Sequence, residues 1–241
     1  PSIKYQMIRY ILVFILLFSC SPLKKYEHTK DKWEKDIQNL EKLDNNLPLN
    51  SNSLLFVGSS SVRLWNSITN DMSPYKSIRR GYGGARYTDL IHFTKRLIVN
   101  HNPKSILVFV ANDITGNNKF NLNSKEISDR TPNQVRNLFK FFVKEVRSIH
   151  KEIPILAIDT TPTPKRWHVW DKISKANDLI ESYCKSEKNL YYINTRDQFI
   201  LSDKPEELFF IADKLHLNKK GYVLWSKTVS YTHLTLPTKR I

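Results

Sequence analysis

The sequence predicts an α/β fold, a three-layer α/β/α sandwich around a five-stranded, mainly parallel sheet. Short apolar runs alternate along the chain with longer amphipathic stretches. The runs are almost continuously apolar, as is typical of strands covered on both faces. The longer stretches have the three- and four-residue spacing of helices with one buried side. Strand–helix alternation of this kind favours a parallel sheet with helices on both faces.

The apolar runs and the amphipathic stretches define the predicted elements in chain order. The strands are Leu54–Val57, Tyr75–Ile78, Ile106–Val110, Ile155–Ile158 and Leu190–Ile193. The helices are a leading helix at Asp31–Leu43, followed by Thr88–Asn100, Pro132–His150, Ser174–Ser186 and Lys219–Ser230. The buried stripe is clearest in the third helix, where it comprises Val135, Leu138, Phe139, Phe142, Val143 and Val146.

The N-terminal segment Met7–Cys20 has the pattern of an export signal. Arg9 precedes the apolar run Ile11–Phe18, which is short for a permanent membrane span. Leu17-Phe18-Ser19-Cys20 resembles a bacterial lipobox, which implies cleavage before Cys20, lipid attachment to its sulfur and a polar tether after it. The alternatives are a plain secretory signal or an uncleaved anchor. We therefore expect an exported, membrane-anchored lipoprotein of a bacterial envelope.

The composition argues against a nucleic-acid-binding protein and against a disulfide scaffold. The formal net charge is +15, but the lysines are scattered among acidic residues, without an aromatic stacking platform or a groove-reading helix. Of the two cysteines, Cys184 has no second thiol once Cys20 is lipidated. Cys184 is expected to be a buried or half-buried small residue.

Four polar segments follow predicted strands or precede the last helix. They are Gly58-Ser59-Ser60-Ser61, Arg80-Gly81-Tyr82-Gly83-Gly84-Ala85, Ala111-Asn112-Asp113 and Asp213-Lys214-Leu215-His216-Leu217-Asn218. Sites in parallel sheets form at the carboxyl ends of the strands, where the first three segments lie. Taken singly, each segment has an ordinary interpretation as a turn or a helix cap.

The residue types in these segments suit acyl transfer. A serine on a glycine-led turn can present its hydroxyl at the rim of a sheet. A histidine three residues after an aspartate can supply a base whose carboxylate partner lies on the same local face. Glycines expose backbone N–H groups, and Asn112 can direct a side-chain N–H at a developing oxyanion, with Asp113 bracing the loop.

Together the four segments resemble the motifs of the SGNH hydrolases, the GDSL-type esterase and lipase superfamily, over roughly Ser53–Val229. The resemblance implies the flavodoxin-like SGNH fold, with Ser60 as nucleophile and Asp213 and His216 as its partners. It also implies an oxyanion hole formed by Ser60, Gly84 and Asn112. Two positions depart from the family pattern: Ser59 replaces the acid of Gly-Asp-Ser, and Val110-Ala111 stands where a glycine often precedes the asparagine.

The signal pattern, the resemblance and the C-terminal composition together divide the chain into four parts. Residues 1–19 are the signal peptide, and 20–52 hold the lipidated cysteine, the tether and the leading helix. Residues 53–230 form the hydrolase domain. Residues 231–241, which contain the helix-breaking Pro237, are interpreted as a non-native tail, and 1–6 as upstream translation.

The loop Thr160–Trp170 follows the fourth predicted strand at the same edge of the sheet. Arg166 and Trp167 are candidates for lining an acyl or sugar pocket, or for packing within the loop. Arg63, Trp65 and Arg86 lie near the site in sequence and are more often structural.

The expected function is that of a serine ester hydrolase acting on acyl esters, lipids or acetylated glycans. A carbohydrate esterase that deacetylates surface or dietary glycans uses the same machinery. A third interpretation is a non-catalytic lipoprotein that binds ligands on the same fold. No metal or cofactor is expected, because the sequence has neither a His/Cys cluster nor an HExxH spacing. The expected partners are the ester substrate and, through the lipid anchor, a membrane.

Overall fold

The fold is described from a computed structural model, which covers residues 21–46, 53–117, 120–121 and 126–234. The strands in these residues are β1 (Ser53–Gly58), β2 (Lys76–Gly81), β3 (Ser105–Phe109), β4 (Phe120–Asn121), β5 (Glu126–Ile127), β6 (Ile155–Ile158), β7 (Leu190–Ile193), β8 (Ile200–Leu201) and β9 (Lys204–Pro205). Five of them form one sheet in the order β2-β1-β3-β6-β7, and every pairing is parallel. The remaining four form two small antiparallel ribbons, β4-β5 and β8-β9.

Helices cover both faces of this sheet. In the described residues they are α1 (Pro22–Lys25), α2 (Glu34–Lys42), α3 (Ser60–Arg63), α4 (Ile68–Asp71), α5 (Tyr87–Ile98), α6 (Pro132–Ile149), α7 (Trp170–Ser186) and α8 (Lys219–Leu234). Alternate residues of β1 enter two separate cores. Leu55 and Val57 pack with α5, α6 and α7, whereas Leu54 and Phe56 pack with α3, α4 and α8. The predicted three-layer α/β/α sandwich with a five-stranded parallel sheet is therefore confirmed.

The second strand is longer than its sequence predicts. The prediction ended it at Ile78, but β2 continues through Arg79 and Arg80 to Gly81. Charged residues argue against a buried strand, yet Arg80 is buried here because its guanidinium forms an ion pair with Asp44. Neutralising the charge in this way allows the cation to leave water.

Three helices differ from their predicted bounds by more than a residue or two at an end. The leading helix divides into a 3₁₀ turn at Asp31–Trp33 and α2. Helix α7 begins at Trp170 rather than Ser174, directly after a 3₁₀ segment at Pro164–Val169. Helix α8 runs four residues past Ser230, to Leu234, since the first residue that cannot continue a helix is Pro237.

The segment before β1 packs against the sheet domain. Residues expected to form a tether fold into α1, and Tyr26 and Ile37 are buried in the core shared with α5 and α6. The Arg96 guanidinium on α5 pairs with Glu34 and with Glu41, in each case at 2.7 Å. The leading segment and the predicted hydrolase domain therefore share one core.

The predicted export signal and lipobox, residues 1–20, and residues 235–241 of the predicted tail lie outside the described residues. Among the helices that are described, none combines the length and the apolarity needed to cross a membrane. Cys184 is buried in α7 as expected, and burial raises the pKa of its thiol to about 12.

Candidate active site

Ser60 lies just beyond the carboxyl end of β1, at the start of α3. Gly58 ends the strand with φ 135°, and a Cβ on it would lie 1.9 Å from the Phe109 carbonyl oxygen of β3. Only glycine permits this approach, which lets the Ser59 N–H donate to the same carbonyl at 2.9 Å. Because α3 begins at Ser60, the backbone N–H of Ser60 lies in the first helical turn, where N–H groups lack intrahelical partners.

The ends of β1 and β3 mark the point at which the strand order changes direction. From β1 the chain passes to β2 on one side, whereas from β3 it passes to β6 on the other. Ligands of open parallel sheets bind at such switch points. Ser60 follows β1 and Asn112 follows β3, so the topology brings these two predicted residues to the same crevice.

His216 connects Ser60 to Asp213 by hydrogen bonds. Its Nε2 lies 2.9 Å from Ser60 Oγ, and its Nδ1 lies 2.5 Å from Asp213 Oδ2. Ser60 and His216 are 156 positions apart in the chain. The arrangement gives a serine hydroxyl, a ring nitrogen able to accept its proton, and a carboxylate that orients the ring.

Backbone and side-chain hydrogen bonds fix the loop that carries Asp213 and His216. Asp213 Oδ1 accepts the backbone N–H groups of Leu215 at 2.9 Å and of His216 at 3.0 Å. Asn218 Oδ1 accepts the Gly221 N–H at 3.1 Å, which makes Asn218 the cap of α8. The Asn218 amide also donates to the Phe210 carbonyl, so Asn218 connects the segment before the loop to the helix α8 after it.

The Asp213 carboxylate is favoured in its charged form. Its partial burial raises the pKa, but the hydrogen bonds from the backbone and side chain of His216 and from the Leu215 N–H outweigh that effect. The net result is a pKa below the ordinary value for aspartate. Asp213 therefore stays ionised while it holds the imidazole.

Two neighbours hold the side-chain amide of Asn112. Its Nδ2 donates to the Ala85 carbonyl at 2.9 Å, and its Oδ1 accepts from Arg166 Nη2 at 2.6 Å. A second guanidinium nitrogen of Arg166 donates to the Ala111 carbonyl. One N–H of Nδ2 therefore bonds Ala85, and a primary amide has a second N–H beside it.

Gly84 lies on the turn between β2 and α5. Its φ is 75°, a conformation that favours glycine. The turn is joined to the end of β1 because the Tyr82 N–H donates to the Gly58 carbonyl at 3.0 Å. The Trp33 indole of the leading segment covers it, since a Cβ on Gly84 would lie 3.2 Å from the ring edge. The role of the Gly84 N–H as an oxyanion donor stays a prediction.

A cleft beside Ser60 includes four of the predicted site residues, Ser60, Asn112, Arg166 and His216, whereas Gly84 and Asp213 are not among its lining residues. It is lined by Ser60, Ser61, Phe109, Ala111, Asn112, Thr160, Thr161, Thr163, Arg166, Phe210, Leu215, His216 and Leu217. Trp167 does not line this cleft; its half-buried ring stacks on Trp170, with ring centroids 5.8 Å apart. Trp65 is fully buried between Phe56, Tyr222 and Trp225, which is a structural role.

Two buried acids, Asp89 and Asp113, lie behind the glycine-rich turn. The sequence predicts a bracing role for Asp113, whereas Asp89 was not predicted. Asp113 Oδ2 accepts the Tyr87 N–H at 2.9 Å, and Asp89 accepts the Tyr82 hydroxyl at 2.5 Å. Burial raises the pKa of Asp113 to about 6 and that of Asp89 to about 7. Asp89 is the third residue of α5 and accepts the Arg86 N–H at 3.2 Å, a capping pattern that the sequence could have revealed.

The described residues contain no group of three or more His, Cys, Asp or Glu side chains placed to hold a metal ion.

No protein-family model and no curated protein matches the sequence. Solved structures do match the fold. A candidate platelet activating factor from Streptococcus pneumonia is 17% identical, with a TM-score of 0.69 over 86% of this chain and 95% of the other. A GDSL-like lipase from Bacteroides thetaiotaomicron is 14% identical, with a TM-score of 0.63 over 81% and 96%.

An acetylxylan esterase from Geobacillus stearothermophilus, solved as a catalytic mutant, is 11% identical, with a TM-score of 0.59 over 74% of this chain and 92% of the other. At these identities the likeness concerns the fold. The chain thus shares the α/β fold of solved structures described as an acylhydrolase, a GDSL-like lipase and an acetylxylan esterase.

Proposed function

We propose that this protein is a serine ester hydrolase with Ser60 as nucleophile, His216 as general base and Asp213 as the carboxylate partner. The observation that carries the proposal is the hydrogen-bonded series from Ser60 Oγ through His216 to Asp213. Its distances are those required for proton transfer from a nucleophile to a positioned base. The location of the series at the switch point of a parallel sheet supports the same conclusion.

The proposed reaction has two steps. In the first, His216 Nε2 takes the Ser60 proton while Oγ bonds to the ester carbonyl carbon, and the C–O bond to the alcohol then breaks. His216 returns the proton to the departing alkoxide, which leaves an acyl-serine. In the second step His216 deprotonates a water molecule that attacks this acyl group, and Ser60 recovers its proton as the acid departs. Asp213 fixes the imidazole tautomer and stabilises the imidazolium in both steps.

The negative charge of the tetrahedral intermediate is held by the N–H groups of Ser60, Gly84 and Asn112. Replacing Asn112 with alanine is expected to reduce kcat by about 10²–10³-fold, because one oxyanion donor stabilises the transition state by about 3–4 kcal/mol. Steady-state kinetics on p-nitrophenyl acetate would measure this. Asn66→Ala is the matched control, since the exposed Asn66 amide contacts Arg79 outside the cleft. Equal kcat in Asn112→Ala and wild type would contradict the assignment.

A carbohydrate esterase is the second candidate. Two structural neighbours are described as carbohydrate-active, a carbohydrate esterase family 3 protein from Talaromyces cellulolyticus and the acetylxylan esterase from Geobacillus stearothermophilus. Trp167 directly follows Arg166, a residue of the cleft, and its indole stacks on that of Trp170 outside the cleft lining. Aromatic faces of this kind suit sugar rings. The reaction at Ser60 is the same in both candidates.

The test of the proposed function is hydrolysis by the purified protein of p-nitrophenyl acetate, longer acyl esters and acetylated xylan or peptidoglycan. A preference for acetylated glycans over acyl esters would favour the carbohydrate esterase. Absence of turnover on every ester would contradict both candidates and support a binding module on the same fold.

We further propose that the protein is an exported lipoprotein carried by a lipid on Cys20, as its lipobox-like sequence suggests. Cys20→Ser is expected to move the protein from the membrane fraction to the soluble fraction, measured by fractionation and blotting. Cys184→Ala, which removes the buried thiol, is expected to leave it in the membrane fraction. Membrane retention of Cys20→Ser equal to wild type would contradict the lipid anchor.

A further inference from the structure

We infer that Arg166 is a positioning residue, which orients the side-chain amide of Asn112 so that its free N–H faces the oxyanion. The inference rests on the proposed function, since it concerns the oxyanion hole of the same site. Arg166 also lines the cleft, so its expected place in a substrate pocket stays a prediction beside this one.

The two hydrogen bonds of Asn112 determine which way its side-chain amide faces. A guanidinium has N–H donors only, so the atom of Asn112 that faces Arg166 Nη2 at 2.6 Å must be the amide oxygen. The Ala85 carbonyl accepts on the other side, so the atom that faces it at 2.9 Å must be the amide nitrogen. A flipped amide would place donor against donor and acceptor against acceptor. The two neighbours together therefore fix one orientation, with one N–H left for the cleft.

The guanidinium of Arg166 is already hydrogen-bonded within the protein. The side chain is buried, with 9% of the residue exposed, and both terminal nitrogens donate to the Ala111-Asn112 turn. Burial lowers the pKa of the guanidinium to about 10, which still leaves it charged at neutral pH. A buried cation is unfavourable unless its hydrogen bonds are formed, and two of the five guanidinium N–H groups are used by this turn.

The kinetic constants kcat and KM distinguish a residue that positions Asn112 from one that contacts the ester. An interaction that acts only through the oxyanion donor strengthens in the transition state and not in the bound ester. Losing it should lower kcat and leave KM nearly unchanged. A residue that contacts the ester directly should raise KM instead.

The experiment is a double-mutant cycle of Arg166→Met and Asn112→Ala, assayed on p-nitrophenyl acetate. Arg166→Met is expected to reduce kcat by about 10²-fold, the size of effect that a misplaced catalytic group produces. The double variant is expected to match Asn112→Ala, because Arg166 has nothing to position once the amide is gone. Arg166→Lys keeps the charge but cannot form both bonds, so it is expected to remain well below wild type.

Arg147→Met is the matched control. Arg147 is half-buried and donates, as Arg166 does, to backbone carbonyls; its partners are Ile153 and Asn189, before β6 and β7 at the opposite edge of the sheet. Its replacement is expected to lower the midpoint of thermal unfolding without changing kcat by more than about twofold, since no cleft residue contacts it. If Arg166→Met fails to fold, Arg166→Lys completes the cycle.

Three results would overturn the inference: an Arg166→Met variant with wild-type kcat, one whose main defect is a raised KM, or a double variant with the product of the two single losses. A readout without turnover is the hydrogen-exchange rate of the Asn112 side-chain amide by ¹⁵N NMR. We expect Arg166→Met to accelerate this exchange, and an unchanged rate would also overturn the inference. Absence of turnover in the wild type would contradict the proposed function alone.

Discussion

Replacing Ser60 with alanine is expected to reduce ester turnover by about 10⁴–10⁶-fold, because no other group in the series can form the acyl intermediate. The geometry on which this rests is the 2.9 Å distance between Ser60 Oγ and His216 Nε2. The loss would be measured as kcat on p-nitrophenyl acetate. A fluorophosphonate should label wild-type Ser60, identified by mass spectrometry of the modified peptide, and should not label the variant.

The two neighbouring serines provide the controls for Ser60. Ser59 is buried, and its hydroxyl has no hydrogen-bond partner among the described residues, so Ser59→Ala removes little. Ser61 lines the cleft, but the hydrogen bond that ties it to α8 is made by its backbone carbonyl, which accepts from the Tyr222 hydroxyl at 2.9 Å. We expect both alanine variants to retain turnover within about tenfold of wild type. Wild-type turnover in Ser60→Ala, together with its loss in a neighbour, would assign the nucleophile to that neighbour.

Replacing Asp213 with asparagine is expected to reduce kcat by about 10⁴-fold with little change in the fold. The asparagine carbonyl can keep the bonds from the Leu215 and His216 N–H groups, which leaves its NH₂ facing His216 Nδ1. His216 Nδ1 must then accept a hydrogen bond from this NH₂, so the ring proton moves to Nε2. A protonated neutral Nε2 cannot take the Ser60 proton.

The control for Asp213 lies close by. Glu207 pairs with Lys214, the residue after Asp213, at 2.9 Å, and both side chains are exposed. Glu207→Gln makes the same change from acid to amide beside the loop and is expected to change kcat by about twofold or less, because exposed ion pairs contribute little. An Asp213→Asn variant within tenfold of wild-type kcat would contradict the role of the carboxylate in setting the tautomer.

The strands that could be predicted from the sequence are those that helices cover on both faces. β1, β3 and β6 are recognisable as apolar runs because each of their apolar residues enters one of the two cores. The end of β2 could not be predicted, because the burial of Arg80 depends on Asp44, a residue 36 positions away in the leading segment. A pattern read over a few residues does not contain such a partner.

The same distinction applies to the site. Ser60, Asn112, Asp213 and His216 could be nominated because each sits at a recognisable strand end or helix start. The contact between Arg166 and Asn112 joins residues 54 positions apart, and an arginine in a polar loop gives no sign that it will be buried. Trp33 could not be placed beside Gly84 for the same reason, as the leading helix carries no signal of where it docks.

Tyr26 is buried close to the N-terminal end of the described residues, and this limits where the protein can act. If Cys20 carries a lipid as proposed, only about six residues separate the acyl chains from a side chain fixed in the core, and α1 already occupies most of them. An extended chain of that length spans roughly 20 Å, and a partly helical one spans less. The folded domain would then lie at the bilayer surface, without a flexible linker between it and the lipid. Its reach would extend to esters in the headgroup layer or in polymers pressed against it, and a distant polymer would have to come to the membrane to be cleaved.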